Sequence, residues 1–165
     1  MCALGVPKYE GKMIVEENDM VVAFCGHSTY IPNAADEKEV LAVLERVVGD
    51  VPCDFFLGEY GSFDSFAYGC AKKYKEKYPA SKLFFITPYL NQEKMQFQAE
   101  RFDGIIYPPL EYVPPRYAIV KRNKWIVEQA DLIFAHITHE YGGAYTMYCY
   151  AKRKGKTVYM IGTWS

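Results

Sequence analysis

Residues 55–90 read FFLGEYGSFDSFAYGCAKKYKEKYPASKLFFITPYL, and this stretch decides the fold. Phe55, Phe56 and Leu57 form a short apolar run that stops at Gly58, as a buried strand stops before a turn. The spacing then predicts a helix over 63–77, with Phe66, Ala67, Cys70 and Tyr74 on one face and Pro79 as its stop. A second apolar run over 82–87 closes at Pro88. Neither strand alternates apolar with polar residues, so each is expected to be covered on both faces, as in a parallel sheet.

The same unit repeats outward in both directions. Residues 20–25 form a β-branched apolar run that ends at Gly26. Val40, Val43, Leu44 and Val47 recur at helical spacing over 36–48, with Asp36 and Glu37 in a first turn where the helix dipole favours acids. Residues 91–102 read as a surface connection with room for a short helix. A strand over 104–107 closes at Pro108-Pro109, and a helix over 115–130 opens on Pro115, a residue suited to a first turn. A strand over 131–137, a helix over 144–154 and a strand over 157–161 complete the pattern. The expected fold is α/β: a single Rossmann-like three-layer domain, with a mainly parallel sheet of about six strands and helices on both faces. Residues 1–19 are polar and interrupted by Gly and Pro, and read as an extension before a domain spanning 20–165.

Composition narrows the function. The chain has 165 residues, which fits one domain, and its net charge is −1. A nucleic-acid binder usually carries a basic patch, so the balance of charge makes nucleic acid an unexpected partner and a small molecule the expected one. No apolar run is long enough for a membrane span. The five cysteines (Cys2, Cys25, Cys53, Cys70 and Cys149) form no CxxC pair and read as core thiols of a reduced cytoplasmic protein. Abundant Tyr and Phe suit an aromatic-rich interface between copies, so a homodimer or higher homo-oligomer is expected.

Ligands of open parallel sheets bind beyond the carboxyl ends of the strands. The residues placed there are Gly26, His27 and Ser28; then Gly58, Glu59, Tyr60, Gly61, Phe63 and Asp64; then Pro88 and Tyr89; then Gly142, Gly143, Ala144, Tyr145 and Thr146. Glycine lets a ligand approach the backbone, and a helix amino terminus offers unpaired N–H groups to an anion. Gly142-Gly143 can cradle a phosphate, with the Thr146 hydroxyl as a further donor. One such turn is a common structural device; two at equivalent places favour a binding site. Neither GxGxxG nor a P-loop is present, so a dinucleotide fingerprint and a Walker ATPase are both disfavoured. Glu59 and Asp64 are the candidate catalytic carboxylates, although a helix cap accounts for Asp64 equally well. His136 and His139 lie three apart, which on a strand points them to opposite faces, and His27 sits in another turn. No metal site or cofactor is expected.

Residues 58–90, together with RNKWIVEQADLIFAHITHEYGGAYTMYCYAKRKGK over 122–156, resemble the SLOG superfamily, which includes LOG phosphoribohydrolases and DprA/Smf proteins. The nearest likeness is to the YpsA-like DUF1273 branch, and Gly26-His27 resembles its first-strand turn. The resemblance implies a nucleotide-derived ligand and often an oligomer. It matches Arg122 and Asn123 to the family's Arg-Asn helix, and Arg122 to the arginine that pairs with a catalytic glutamate in LOG enzymes. Here Met147, Tyr148 and Cys149 stand where that glutamate is sought, and Tyr145 replaces a glycine of the turn. Two readings follow, beside a weaker third, a DprA-like interaction with single-stranded DNA, which the balance of charge opposes. One is binding, for sensing or sequestration, of a nucleotide or ADP-ribose-like molecule. The alternative is an N-glycosidase or a ribosyl or deoxyribosyl transferase using Glu59 or Asp64. Arg122 is expected to clamp phosphate, the other possibility being a surface pair with Glu128 or Asp131. Tyr60, Phe63, Tyr89 and Tyr145 are the rings expected to stack on a base.

Overall fold

The computed structural model describes residues 19–162. The expected amino-terminal extension lies outside the described residues, apart from Asp19.

Elements alternate along the chain: β1 (Met20–Gly26), α1 (Ala34–Val47), β2 (Cys53–Leu57), α2 (Ser62–Lys77), β3 (Lys82–Ile86), α3 (Gln92–Gln98), β4 (Gly104–Ile106), α4 (Ala118–Gln129), β5 (Leu132–His136), α5 (Gly142–Arg153) and β6 (Thr157–Met160). All six strands lie in one sheet of order β4-β3-β2-β1-β5-β6, and every pairing is parallel.

The pleat of β1 shows why the strand is apolar throughout. Val22 and Phe24 point into a core shared with Val40 and Leu44 of α1 and with Phe63, Phe66 and Tyr74 of α2. Val21, Ala23 and Cys25 point the other way, toward Trp125 and Ile126 of α4 and Met147 of α5. Alternate residues therefore serve two cores, and neither face can carry a polar side chain without losing its burial. On the α4 side, Phe56 and Trp125 stack in parallel, with ring centroids 5.8 Å apart.

Strand order reverses next to β1. The chain steps outward from β1 to β4, then returns through α4 to place β5 on the other side of β1. The turns after β1 and β5 therefore leave in opposite directions and open a crevice between them.

Helix starts differ from expectation by one to three residues: α1 starts at Ala34 rather than Asp36 and α2 at Ser62 rather than Phe63. Residues 115–117 form a 3-10 turn, and α4 proper starts at Ala118. Helix α5 starts at Gly142 rather than Ala144, so both glycines belong to its first turn.

Candidate functional site

A cavity of about 420 Å³ opens at this crevice, on the α4–α5 side. Its walls come from four segments. The turn after β1 gives Gly26, His27 and Ser28, and the turn after β2 gives Gly58, Tyr60 and Asp64. Helix α4 gives Arg122 and Asn123, and the start of α5 gives Gly142, Gly143 and Ala144. His139 and Tyr141 complete the rim.

Arg122 is the electrostatic centre. It is 4 % exposed, so it is no surface partner of Glu128 or Asp131. Its Nη1 donates to the carbonyl of Ile86 at 2.8 Å, whereas its Nε has no hydrogen-bond partner among the described residues. Gly58 makes room for it: a Cβ there would lie 3.1 Å from Nη1 and 3.0 Å from Oδ2 of Asp64. Burial disfavours the Arg122 charge, and nearby Asp64 opposes that only in part. An arginine stays protonated, so the cavity wall holds a poorly solvated cation.

Asp64 occupies the first turn of α2 and accepts the Tyr60 N–H at 2.7 Å, which pins the β2 turn. Burial pushes its carboxyl above the usual carboxylate range, against the pull of that hydrogen bond and of Arg122. The Tyr60 ring lies beneath the guanidinium, 5.4 Å from centroid to Cζ.

The start of α5 is open. Its N-cap, Tyr141, makes no side-chain cap, and a Cβ built on Gly142 or Gly143 meets nothing within 4 Å. The first-turn N–H groups thus face the cavity without a side-chain partner of their own cap. Cys25 fastens this helix to the sheet, its thiol donating to the Ala144 carbonyl at 3.1 Å. Burial, with Asp64 and Cys149 nearby, pushes that thiol up to about 12, so Cys25 is a latch and not a nucleophile.

His27 and His139 stack across the crevice with centroids 3.6 Å apart. No local sequence pattern joins them. The parallel register, which sets Gly26 opposite His136, brings their turns side by side. Backbone N–H of Thr138 donates to His27 Nε2 at 3.2 Å and locks the two turns together. No group of three metal-ligating side chains forms among the described residues.

Other expected site residues lie elsewhere. Glu59 is ion-paired with Arg101 and does not line the cavity. Gly61 abuts Ser28, and Phe63 is core, its ring filling the space where a Gly26 Cβ would stand. Pro88 is buried in the turn after β3; Tyr89 donates its hydroxyl to the Pro115 carbonyl. Tyr145 leans on Tyr148, and Thr146 donates its hydroxyl to the Gly142 carbonyl, inside its own helix. His139, Tyr141, Thr29, Ile119 and Met147 are among the wall residues outside the expected set. For His139 and Tyr141, their place just before Gly142-Gly143 is the available signal.

No protein-family profile matches the sequence, and no curated protein does. Solved structures do match. DNA processing protein A from Helicobacter pylori, described with a unique single-stranded DNA binding mode, aligns with a TM-score of 0.59 and 13 % identity, over 91 % of this chain and 68 % of that one. DNA processing protein A from Streptococcus pneumoniae gives 0.58 and 13 %, over 86 % of this chain; this chain spans half of that one (50 %). A molybdenum cofactor binding protein from Rippkaea orientalis gives 0.56 and 16 %, over 88 % of this chain and 77 % of that one. The fold is therefore one that this chain shares with DNA processing protein A and with this molybdenum cofactor binding protein.

The Helicobacter pylori structure corrects one expectation. Net charge does not set nucleic acid aside for this fold, because a protein that shares it has a single-stranded DNA binding mode. The physical reason is that a sum over the chain hides segregation. Lys124, Arg153 and Lys154 crowd the ring of Tyr150 on the α4–α5 face, at 5.3, 5.5 and 5.5 Å from its centroid. Among the described residues no helix is long and apolar enough to cross a membrane.

Proposed function

We propose that this protein binds a nucleotide or ADP-ribose-like molecule in the crevice between β1 and β5, as a sensing or sequestering protein related to the YpsA-like DUF1273 branch. The observation that carries the reading is Arg122: a buried cation with an unpartnered Nε, in the wall of a cavity onto which the uncapped start of α5 also opens. Both features favour an anion, and a phosphate satisfies them together. The volume of about 420 Å³ suits a small-molecule site, and the Tyr60 and Tyr141 rings offer stacking surfaces for a base.

The test is calorimetry with AMP, ADP-ribose, NAD and a short single-stranded oligonucleotide against wild type and Arg122→Ala. The reading expects at least one nucleotide to bind, and Arg122→Ala to weaken it about tenfold or more, as loss of a charge-assisted hydrogen bond does. Binding of the oligonucleotide alone, or equal nucleotide affinity in both proteins, would sink it.

The enzymatic alternative retains one supporting observation. Asp64 is a carboxyl group in the cavity wall, and its raised pKa suits a proton donor at a glycosidic bond. Release of free base in excess of protein, abolished by Asp64→Asn, is the result that reading requires.

A further inference from the structure

Helix α4 lies between two recesses. Arg122 and Ile126 line the cavity already described, whereas Lys121, Lys124, Trp125 and Glu128 line a second space of about 370 Å³ on another face of the helix. The two spaces share no lining residue. The segment after β4 contributes Pro109, Leu110 and Val113 to the second space, and α5 contributes Tyr150. Leu110 is buried and Val113 half-buried, and the Trp125 indole is 9 % exposed and stacked on Phe56. The recess is therefore apolar within. Its rim is cationic: Lys121 is exposed, and Lys124 reaches the Tyr150 ring, where Arg153 and Lys154 also gather. None of these four cations enters an ion pair among the described residues. The one carboxylate of the lining, Glu128, accepts the Tyr150 hydroxyl at 2.5 Å. Four cations thus stand around one acid, on a chain whose net charge is −1.

An apolar recess under a cationic rim selects an occupant that joins an apolar side chain to negative charge. Charge alone would admit any polyanion, and the recess decides among them. Single-stranded nucleic acid binds by stacking successive bases on open aromatic faces. The rings lining this recess are not open, because Trp125 is covered by Phe56 and Tyr150 is crowded by three cations. A peptide suits the geometry instead: one apolar residue enters the recess while neighbouring carboxylates meet the cations of the rim. We propose that this face docks an acidic segment of a partner protein, anchored by one apolar or aromatic side chain beside Val113 and Trp125. Lys121, Lys124, Arg153 and Lys154 hold the acidic residues on either side of that anchor. Because the two spaces share no residue, this inference stands apart from the nucleotide reading, and either can fail alone.

The experiment is fluorescence anisotropy with two labelled acidic peptides, identical except for a central phenylalanine in one and alanine in the other, and with a thymidine oligonucleotide of the same charge. The proteins are wild type, the double variant Lys121→Glu, Lys124→Glu, and Val113→Asp, with thermal melts confirming that each variant folds. None of the three substituted residues is fully buried, so the core survives the changes. The phenylalanine peptide should bind wild type about tenfold or more tightly than the alanine peptide, since a buried aromatic side chain carries that much. The double variant should weaken both peptides about tenfold or more, because it turns two attractive charges into repulsive ones. Val113→Asp should erase the preference for phenylalanine. Equal binding of the two peptides to wild type would show a general polyanion surface and overturn the proposal. So would an oligonucleotide that binds more tightly than the phenylalanine peptide, which would make this a nucleic-acid face. Unchanged peptide affinity in the double variant would place the contact elsewhere, and failure of both peptides to bind wild type would remove the docking site altogether.

Discussion

His27 and His139, 112 positions apart in the chain, stack face to face with ring centroids 3.6 Å apart and planes inclined by 19°. The stack continues through Tyr141, whose ring centroid lies 4.1 Å from that of His139. Rings from the turns after β1 and β5 thus form one wall of the cavity. The contact is stable only while charge on the pair is limited, because two imidazolium rings at this distance repel. His27 is also an acceptor: the Thr138 N–H needs the lone pair on its Nε2.

That arrangement makes stability depend on pH. Burial first, then His139 and His136, hold the His27 pKa below its ordinary value of 6.5. Well above pH 6.5 His27 is neutral in both folded and unfolded chains and contributes no dependence. As pH falls below 6.5 the unfolded chain takes up a proton that the folded chain resists, so stability declines until the folded pKa is passed. Melting temperatures measured from pH 7.5 to 5 should fall with acidity, and His27→Gln should flatten part of that slope. An unaltered slope in the variant would assign the dependence to other groups.

Gly61 is a position where a side chain cannot be added. Its φ is +126°, and a Cβ would lie 2.5 Å from the Cβ of Ser28. The β1 and β2 turns meet here, and Ser62 donates its N–H to the Ser28 carbonyl at 3.1 Å. Gly61→Ala should cost at least about 2 kcal/mol, from backbone strain and overpacking together. Urea denaturation checks this.

Gly143 offers the contrast. Nothing stands within 4 Å of the place its Cβ would occupy, and its φ is ordinary. Gly143→Val should change stability by no more than about 0.5 kcal/mol, yet cover the first-turn N–H groups of α5 and weaken nucleotide binding. A variant with both normal stability and normal affinity would remove the α5 start from the site.

Residues 55–90 show how much of this was legible and why the rest was not. Apolar runs closed by Gly58 and Pro88 located β2 and β3, because burial on both faces leaves a mark on every residue of a strand. The same turns marked the sheet end that carries the site, since a strand that stops at glycine says where its carboxyl end lies. Partners across the sheet left no such mark. The ion pair of Glu59 with Arg101 and the stack of His27 on His139 depend on strand order and register, which no local pattern encodes. Glu59 was therefore read as facing a ligand on its position alone. The basic ring around Tyr150 leaves no local mark for a related reason: Lys124 comes from α4 while Arg153 and Lys154 come from the end of α5 and the residue after it, so composition averages them with the acids of the whole chain.

The two carboxylates after β2 now carry separable predictions. Glu59 holds Arg101, which also rests on the Tyr68 ring at 4.4 Å, so it ties the β2 turn to the segment before β4. Glu59→Gln should lower stability by about 1 kcal/mol or less, as part-exposed ion pairs do, and leave nucleotide affinity unchanged. Asp64 is different because burial raises its pKa: a group that binds its proton more tightly when folded destabilises the fold at neutral pH and does so less as pH falls through that pKa. Asp64→Asn retains an acceptor for the Tyr60 N–H and removes the buried charge beside Arg122. At pH 7 its melting temperature should match or exceed that of wild type, and that margin should shrink toward acid pH as wild-type Asp64 takes up its proton. Affinity for a phosphate-bearing ligand should rise, since Arg122 loses its competing anion. A fall in affinity would instead place the Asp64 carboxylate in contact with the ligand.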